Sequence, residues 1–440
     1  MTENSQQKDH HQNGSVCVGN DIDGMTLALA WAARGMYITA PNPRVGCVIV
    51  KHGVVIGAGH TQPAGQAHAE IMALRDAAER GHDVQGATAY VTLEPCSHHG
   101  RTPPCSSALV RAGLGRVVAA MLDPNPLVAG RGLAQLEAAG IAVTAGVLAD
   151  AAHELNIGFF SRMRRSLPWV RLKVAASLDG ATALAGGESQ WITGHDARAD
   201  GHAWRARTGV ILTGIGTVKS DNPQMTVRGI DTPLQPRRVI VDSRLEIDLD
   251  ARILQGAPCW IVAAGEPVPP GVGTGASEHD AAHTAAHTTA HTATRNAAHN
   301  AAHNAAHNAK AAALRAAGHE ILYLPNAHGK VDLPALMREL GRREINEVHV
   351  EAGAKLNASL VREGCVDELL VYLAPSLIGP GQGMFDLPPL ARLAERRSLR
   401  FHDVAMVGHD LRILARFIES ESESEAEFES ESESKLIIKE

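Results

Sequence analysis

His68-Ala-Glu70 and then, beyond a strand-like run, Glu94-Pro-Cys-Ser-His-His-Gly-Arg-Thr-Pro-Pro-Cys105 decide how the early part of the chain reads. His68 stands in the first turn of a helix predicted over Ala67 to Arg80. Cys96 follows a predicted strand, Ala89 to Leu93, and Cys105 leads into a helical stretch near Ser106 to Ala112. One imidazole and two thiolates make three protein ligands, so His68, Cys96 and Cys105 are the expected metal ligands and Zn2+ the expected metal. Three ligands leave the fourth tetrahedral position open to water, which a catalytic zinc site requires and a structural one lacks.

Working outward, helix and strand patterns alternate on both sides of this stretch. A helix over Met25 to Arg34, strands over Val45 to Val50 and Val54 to Gly59, and a strand over Arg116 to Met121 complete an α/β unit. After Pro168 a second α/β series begins, with strands at Trp169 to Ala175, Gly209 to Thr213, Arg238 to Asp242, Trp260 to Ala263 and Glu347 to Glu351. A chain of 440 residues is long enough for two such cores. The expected organisation is a polar extension at 1–20, a first domain at 21–167, a second at 168–418, and an acidic tail at 419–440.

Two segments lack the pattern of a core. Residues 274–309 repeat Ala-Ala-His-Thr and Ala-Ala-His-Asn, and 419–434 alternate Glu with Ser. Histidines four apart advance about 40° past a full helical turn, so only adjacent pairs can share a metal. The His-rich segment therefore reads as a solvated surface insertion between two strands. The tail holds nine Glu and two Lys, so it accounts for the whole net charge of −7 and leaves a neutral body. A neutral body with 3% aromatic residues argues against a nucleic-acid partner. No run approaches 18 apolar residues and the start is polar, so neither a membrane span nor a secretion signal is expected. Six scattered cysteines fit a reduced, cytoplasmic setting with a metal site better than a disulfide framework.

Glu70, two residues from His68, matches the non-ligand glutamate of zinc deaminases, which moves the proton while water attacks an amidine-like carbon. Eight residues separate Cys96 from Cys105, where the general deaminase pattern has Pro-Cys-x-x-Cys. That long string, together with Pro41-Asn-Pro-Arg-Val-Gly46 and Asp123-Pro-Asn-Pro126, closely resembles the deaminase half of the bifunctional deaminase/reductase family of riboflavin biosynthesis. The resemblance implies a cytidine-deaminase-like three-layer fold and a phosphorylated pyrimidine substrate that loses its 2-amino group as ammonia. It also assigns Asn42 to the base, while His98, His99 and Arg101 stay open between the substrate phosphate and solvent.

The second domain carries Arg171-Leu-Lys-Val-Ala-Ala-Ser-Leu-Asp-Gly180, Ser189-Gln-Trp-Ile-Thr193, Thr213-Gly-Ile-Gly-Thr217 and Ser220-Asp-Asn-Pro223. Gly214-x-Gly216 is not followed by a third glycine, because Lys219 stands there, so the Rossmann fingerprint is not met. A strand that runs into Gly353 with a helix from Ala354 offers free backbone amides to a phosphate, or is an ordinary strand-to-helix connection. In this order the strings resemble the reductase half of the same family, over roughly Pro168 to Phe417. That implies a dihydrofolate-reductase-like fold using NADPH. By motif, Ala175, Trp191, Thr217, Asp221, Ser243 and the turn Gly353, Ala354, Lys355, Leu356, Asn357, Ala358 and Ser359 fall at cofactor positions. Ser189, Arg205, Met225, Arg228 and Glu351 fall at substrate positions, and the two arginines are suited to fork onto a phosphate. Lys173 and Asp179 are open between site and scaffold roles.

The expected protein is thus a cytoplasmic homo-oligomer acting in two steps on a small phosphorylated pyrimidine. A deaminase of nucleosides or tRNA would share His-x-Glu and Pro-Cys but predicts Pro-Cys-x-x-Cys and no large cofactor domain. A metal-storage protein built on the His and Glu/Ser tracts predicts several metals per chain and indifference to Cys96 and Cys105.

Overall fold

The computed structural model describes residues 16–98, 103–126, 128–265 and 305–418. The polar start up to residue 15, His99 and Arg101, most of the His-rich segment and the tail 419–440 lie outside the described residues. The chain divides between Ser166 and Leu167 into two compact units.

The first unit is a five-stranded sheet of order β2-β1-β3-β4-β5, made of β1 (Gly46–Lys51), β2 (Val54–His60), β3 (Thr88–Val91), β4 (Arg116–Ala119) and β5 (Ala142–Ala145). Alternation along β1 builds both layers. Cys47 and Ile49 enter the core shared with α2 (Ala69–Glu79), α3 (Cys105–Arg111) and α4 (Arg131–Ala138). Val48 and Val50 enter the core shared with α1 (Asp21–Arg34) and α5 (Ala149–Leu155). α6 (Ile157–Arg165) adds Phe159 and Phe160 to the first of these cores. The result is the expected three-layer cytidine-deaminase-like fold. α1 begins earlier than its apolar spacing suggests, because the Asn20 side chain accepts the Asp23 N–H at 3.0 Å, with Asp21 and Asp23 in the positive first turn. Gly46 is required where β1 meets α1: a Cβ there would lie 1.9 Å from the Ala28 carbonyl oxygen.

The main sheet of the second unit has nine described strands in the order β11-β10-β9-β8-β12-β6-β13-β16-β15. The strands β6 (Trp169–Ser177), β8 (Val210–Gly214), β9 (Arg237–Val241), β10 (Trp260–Ala263), β11 (Glu320–Tyr323), β12 (Glu347–Val350) and β13 (Glu368–Ala374) run parallel. An antiparallel hairpin, β15 (Leu399–Val407) and β16 (Asp410–Phe417), extends one edge. β7 (Ala181–Leu184) pairs separately with β14 (Gly381–Gly383). Val170, Leu172, Val210, Leu212, Val348 and Val350 pack on α10 (Leu333–Arg342) and α11 (Ala354–Arg362). Ile211, Ile240 and Ile261 face α8 (Ile215–Asp221) and a helix over 305–316, here α9. α7 (His195–Arg207) covers the hairpin side through Ala197 against Leu370, Tyr372 and Leu414. The expected dihydrofolate-reductase-like fold is present.

The His-rich segment needs one correction. Its last residues, 305–309, open α9 rather than a loop, because the Ala-rich repeat runs on into Ala311 and Leu314, both buried. α9 lies on the crossover between the adjacent parallel strands β10 and β11, so the segment leaves the sheet intact.

Candidate active sites

In the first unit three donors converge. His68 is the residue before α2, Cys96 sits in the turn after β3, and Cys105 is the first residue of α3. The His68 Nδ1 lies 3.7 Å from the Cys96 Sγ and 3.4 Å from the Cys105 Sγ, and all three donor atoms fall within 4.8 Å of one another. Zinc bonds of about 2.3 Å to sulfur and 2.0–2.1 Å to nitrogen at tetrahedral angles require an N···S edge of about 3.6 Å. The two edges bracket that value, so the donor set fits zinc.

Glu70, in the first turn of α2, is buried beside this cluster. Burial pushes its carboxyl up to about 7; the negative charge of Cys96 adds to the shift and His68 opposes it. Left to themselves the thiols ionise unequally. The hydrogen bond between them brings Cys96 down to about 4 and pushes Cys105 up, while the bond to Cys96 raises His68. A divalent cation removes that conflict by deprotonating both thiols.

Asn42 lies in the loop before β1, with its N–H on the Thr39 carbonyl at 2.9 Å. That loop is held by buried Asn156, which accepts the Arg44 N–H at 2.7 Å and donates to the Arg44 carbonyl at 2.9 Å. The Nδ1 of His98 is buried without a hydrogen-bond partner among the described residues. Sequence reasoning missed Asp123 as a titrating group: burial pushes it up to about 6, with nearby Glu94 and Cys96 adding to the shift.

In the second unit the assigned cofactor residues sit on several elements. Ala175 is on β6, and exposed Trp191 lies under the Arg198 guanidinium at 4.6 Å. Thr217 and Asp221 are on α8, and Ser243 follows β9, its hydroxyl accepting the Val331 N–H at 3.2 Å. Gly353 is the residue before α11, and a Cβ on it would lie 3.9 Å from the Thr217 hydroxyl, so these two assigned positions are neighbours. The Asn357 Nδ2 donates to the Met384 carbonyl at 3.1 Å, while its buried Oδ1 has no partner among the described residues.

The substrate positions give a different picture from the one expected. Arg205 is held by Glu351 through both arms, Nε to Oε1 at 2.5 Å and Nη2 to Oε2 at 2.8 Å, and by the Thr226 carbonyl at 2.9 Å. The fork expected to grip a phosphate is thus engaged by a carboxylate, because a part-buried guanidinium needs a counter-charge. Buried Met225 touches the same guanidinium through its sulfur at 3.9 Å. Arg228 is exposed, and its backbone N–H donates to the His202 Nδ1 at 3.1 Å. Burial, and then Arg205 and Arg228, bring His202 down to about 4, so it is neutral at pH 7. Burial lowers Lys173, which stands 5.9 Å from the Tyr372 ring; Glu351 opposes that shift. Ser189 is half-buried in the segment after β7, and Asp179 accepts the Ile378 and Gly379 N–H groups as scaffold. His202 carried no sequence signal, since α7 has no clear apolar stripe to make a polar position stand out.

Comparison with known proteins agrees with both halves. Residues 18–121 match the cytidine and deoxycytidylate deaminase zinc-binding region, and residues 168–269 with 278–412 match the RibD C-terminal domain. The riboflavin biosynthesis protein RibD of Escherichia coli is 42% identical over 401 residues, covering 88% of this chain and 96% of its own. That of Haemophilus influenzae is 40% identical over 409 residues, covering 88% and 95%. The structure of Acinetobacter baumannii RibD superposes with a TM-score of 0.74 at 39% identity, covering 91% of this chain and 99% of its own. The deaminase/reductase of Thermotoga maritima gives a TM-score of 0.73 at 28% identity, covering 90% and 99%. No described helix is long and apolar enough to cross a membrane. With a zinc-binding deaminase region before a reductase domain over nearly its whole length, the chain belongs to the RibD family of bifunctional deaminase/reductases of riboflavin biosynthesis.

Proposed function

We propose that the first unit is a zinc hydrolase acting on 2,5-diamino-6-(5-phosphoribosylamino)pyrimidin-4(3H)-one. The second unit is then an NADPH-dependent oxidoreductase that gives 5-amino-6-(5-phosphoribitylamino)uracil. The observation that carries the first half is the His68, Cys96 and Cys105 donor cluster beside buried Glu70. Zinc held by those three donors supplies Lewis acidity at the remaining tetrahedral position. Glu70, buried in interaction with His68, Cys96 and Cys105, is the group that serves that position in this reading and is not needed as a ligand. It takes one proton from the attacking water to the ring nitrogen, and then moves the water's second proton from the added hydroxyl to the 2-amino group, so that the C–N bond breaks, ammonia leaves and the carbonyl forms. Asn42 holds the base in this reading.

In the second unit NADPH supplies a hydride to C1′ of the ribosyl group, which opens to the ribityl chain. The amides that begin α11 and the unpartnered Asn357 Oδ1 suit the cofactor, as does the approach of Thr217 to Gly353. Ala175, Trp191, Asp221 and Ser243 complete the cofactor set. Ser189, Arg205, Met225, Arg228 and Glu351 hold the substrate. Lys173, Arg205 and Arg228 outnumber Glu351 in this cluster, which favours a phosphorylated substrate even with Arg205 paired. NADPH should quench the fluorescence of exposed Trp191, and the quench should be lost in Trp191→Phe. A chain that binds neither NADPH nor NADH would end the reductase half of the proposal. A cytoplasmic homo-oligomer fits this reading: Phe401, Val404 and Met406 stand exposed on the edge strand β15. A monomer in sedimentation would contradict it.

A further inference from the structure

Glu94 is buried, lies two residues before Cys96, and has no place among the assigned ligands. Its carboxylate gathers four backbone N–H groups from one returning segment. The Oε2 accepts from Asp123 at 3.1 Å and Gly130 at 2.8 Å; the Oε1 accepts from Gly132 at 2.8 Å and Leu133 at 3.4 Å. A carboxylate has about four acceptor sites, so its capacity is filled by charge-assisted bonds. The next residue is held as closely: a Cβ on Gly132 would lie 1.9 Å from the Pro95 carbonyl oxygen. The Cys96 carbonyl in turn accepts the Ser106 N–H at 3.1 Å, and the Ser106 hydroxyl lies 3.0 Å from that carbonyl oxygen and 2.7 Å from Gln135 Oε1 on α4. Glu94, Pro95 and Cys96 have no regular secondary structure of their own. Glu94 and Pro95 are therefore tied to the segment from Asp123 to Leu133, while Cys96 is met from the other side by α3, whose Cys105 N–H donates to its Sγ at 3.3 Å.

We propose that Glu94 is a positioning residue of the metal centre, fixing the Pro95–Cys96 turn, and through it the Cys96 thiolate, against the loop that begins at Asp123. The inference rests on the zinc reading of His68, Cys96 and Cys105. Glu94→Gln keeps the size but turns an amide N–H2 toward backbone N–H groups, so at least one pair of bonds becomes repulsive. Glu94→Asp keeps the charge on a shorter arm.

The test uses the full chain with cobalt as the probe, read by its visible ligand-field bands, and zinc affinity by competition with a chelator. Reduction of separately supplied deaminated substrate reports whether the second unit is intact. Glu94→Gln should still take up cobalt but with displaced bands, and should lose zinc roughly 10- to 100-fold more readily, the usual cost of disturbing the partners behind a metal ligand. Glu94→Asp should recover part of both. A Glu94→Gln chain with wild-type bands and wild-type zinc affinity would overturn the proposal. So would one whose first unit unfolds while reduction persists, since Glu94 would then be a folding residue. A wild-type chain that takes up no cobalt, or that keeps it in Cys96→Ser, would end the zinc reading and this inference with it.

Discussion

Arg171 offers the sharpest test of how the second unit is held together. Its guanidinium is buried on β6, with Nε on Glu368 Oε1 at 2.5 Å and Nη1 on Glu347 Oε2 at 3.1 Å, and it lies 4.3 Å from the Trp204 ring. Both carboxylates are themselves buried. Arg171→Met keeps the volume and leaves two buried anions short of a cation, for which about 3–5 kcal/mol is typical. Each anion keeps one arginine, Arg207 at 2.8 Å for Glu347 and Arg416 at 2.9 Å for Glu368, so the lower end, about 3 kcal/mol, is expected. For a unit of this size that corresponds to a fall of roughly 6–12 °C in Tm. Urea unfolding of zinc-loaded protein followed by circular dichroism, with metal release recorded separately, resolves the second unit's transition. A change below about 0.5 kcal/mol, ordinary for a surface substitution, would refute the reasoning.

Three further outcomes are expected. Glu70→Gln should retain zinc while ammonia release falls by roughly 10²- to 10⁴-fold, the usual contribution of a proton-transfer group; metal loss in this variant would make Glu70 a ligand. Gly46→Ala should destabilise the first unit by up to about 3 kcal/mol, because the new methyl meets the Ala28 carbonyl and the Ala32 amide, and neither backbone can retreat; an unchanged denaturation midpoint would contradict the close approach of α1 to β1. Hydrogen bonds from Arg342 and then Arg343 hold Glu339 at about 2. A depressed carboxyl stabilises the fold above its unfolded pKa of about 4.3 and loses that contribution as pH falls through the folded value. The stability gap between wild type and Glu339→Gln should therefore be present at pH 6 and close toward pH 2; a gap that stays constant would show the bonds contribute no linkage.

The donor cluster of His68, Cys96 and Cys105 was legible because metal chemistry restricts both residue type and spacing, so the three could be named, with Glu70 beside them, before any contact was known. Most parallel strands of the second unit, among them β6, β8, β9, β10 and β12, were legible as apolar runs since they are buried in the sheet, whereas β13, equally buried, was not named from the sequence. The hairpin β15 and β16 was not, because β15 is mostly exposed and carries Arg400, His402 and Asp403 among its apolar residues. Arg205 shows the other limit. Its suitability for phosphate follows from its chemistry, but its pairing with Glu351 joins residues 146 apart in the chain and exists only in the fold. Glu94 was visible as part of a motif, and nothing local showed that its partners are amides some 30 to 40 positions away.

The most direct test of the two-step account supplies the diaminopyrimidine ribosyl phosphate to the zinc-loaded chain, with and without NADPH. Ammonia, NADPH absorbance and product mass are followed together. The account predicts ammonia without NADPH, and with it one NADPH oxidised and a two-hydrogen mass gain on the deaminated product. Neither signal from a zinc-loaded chain would contradict it, as would NADPH oxidation before any ammonia appears.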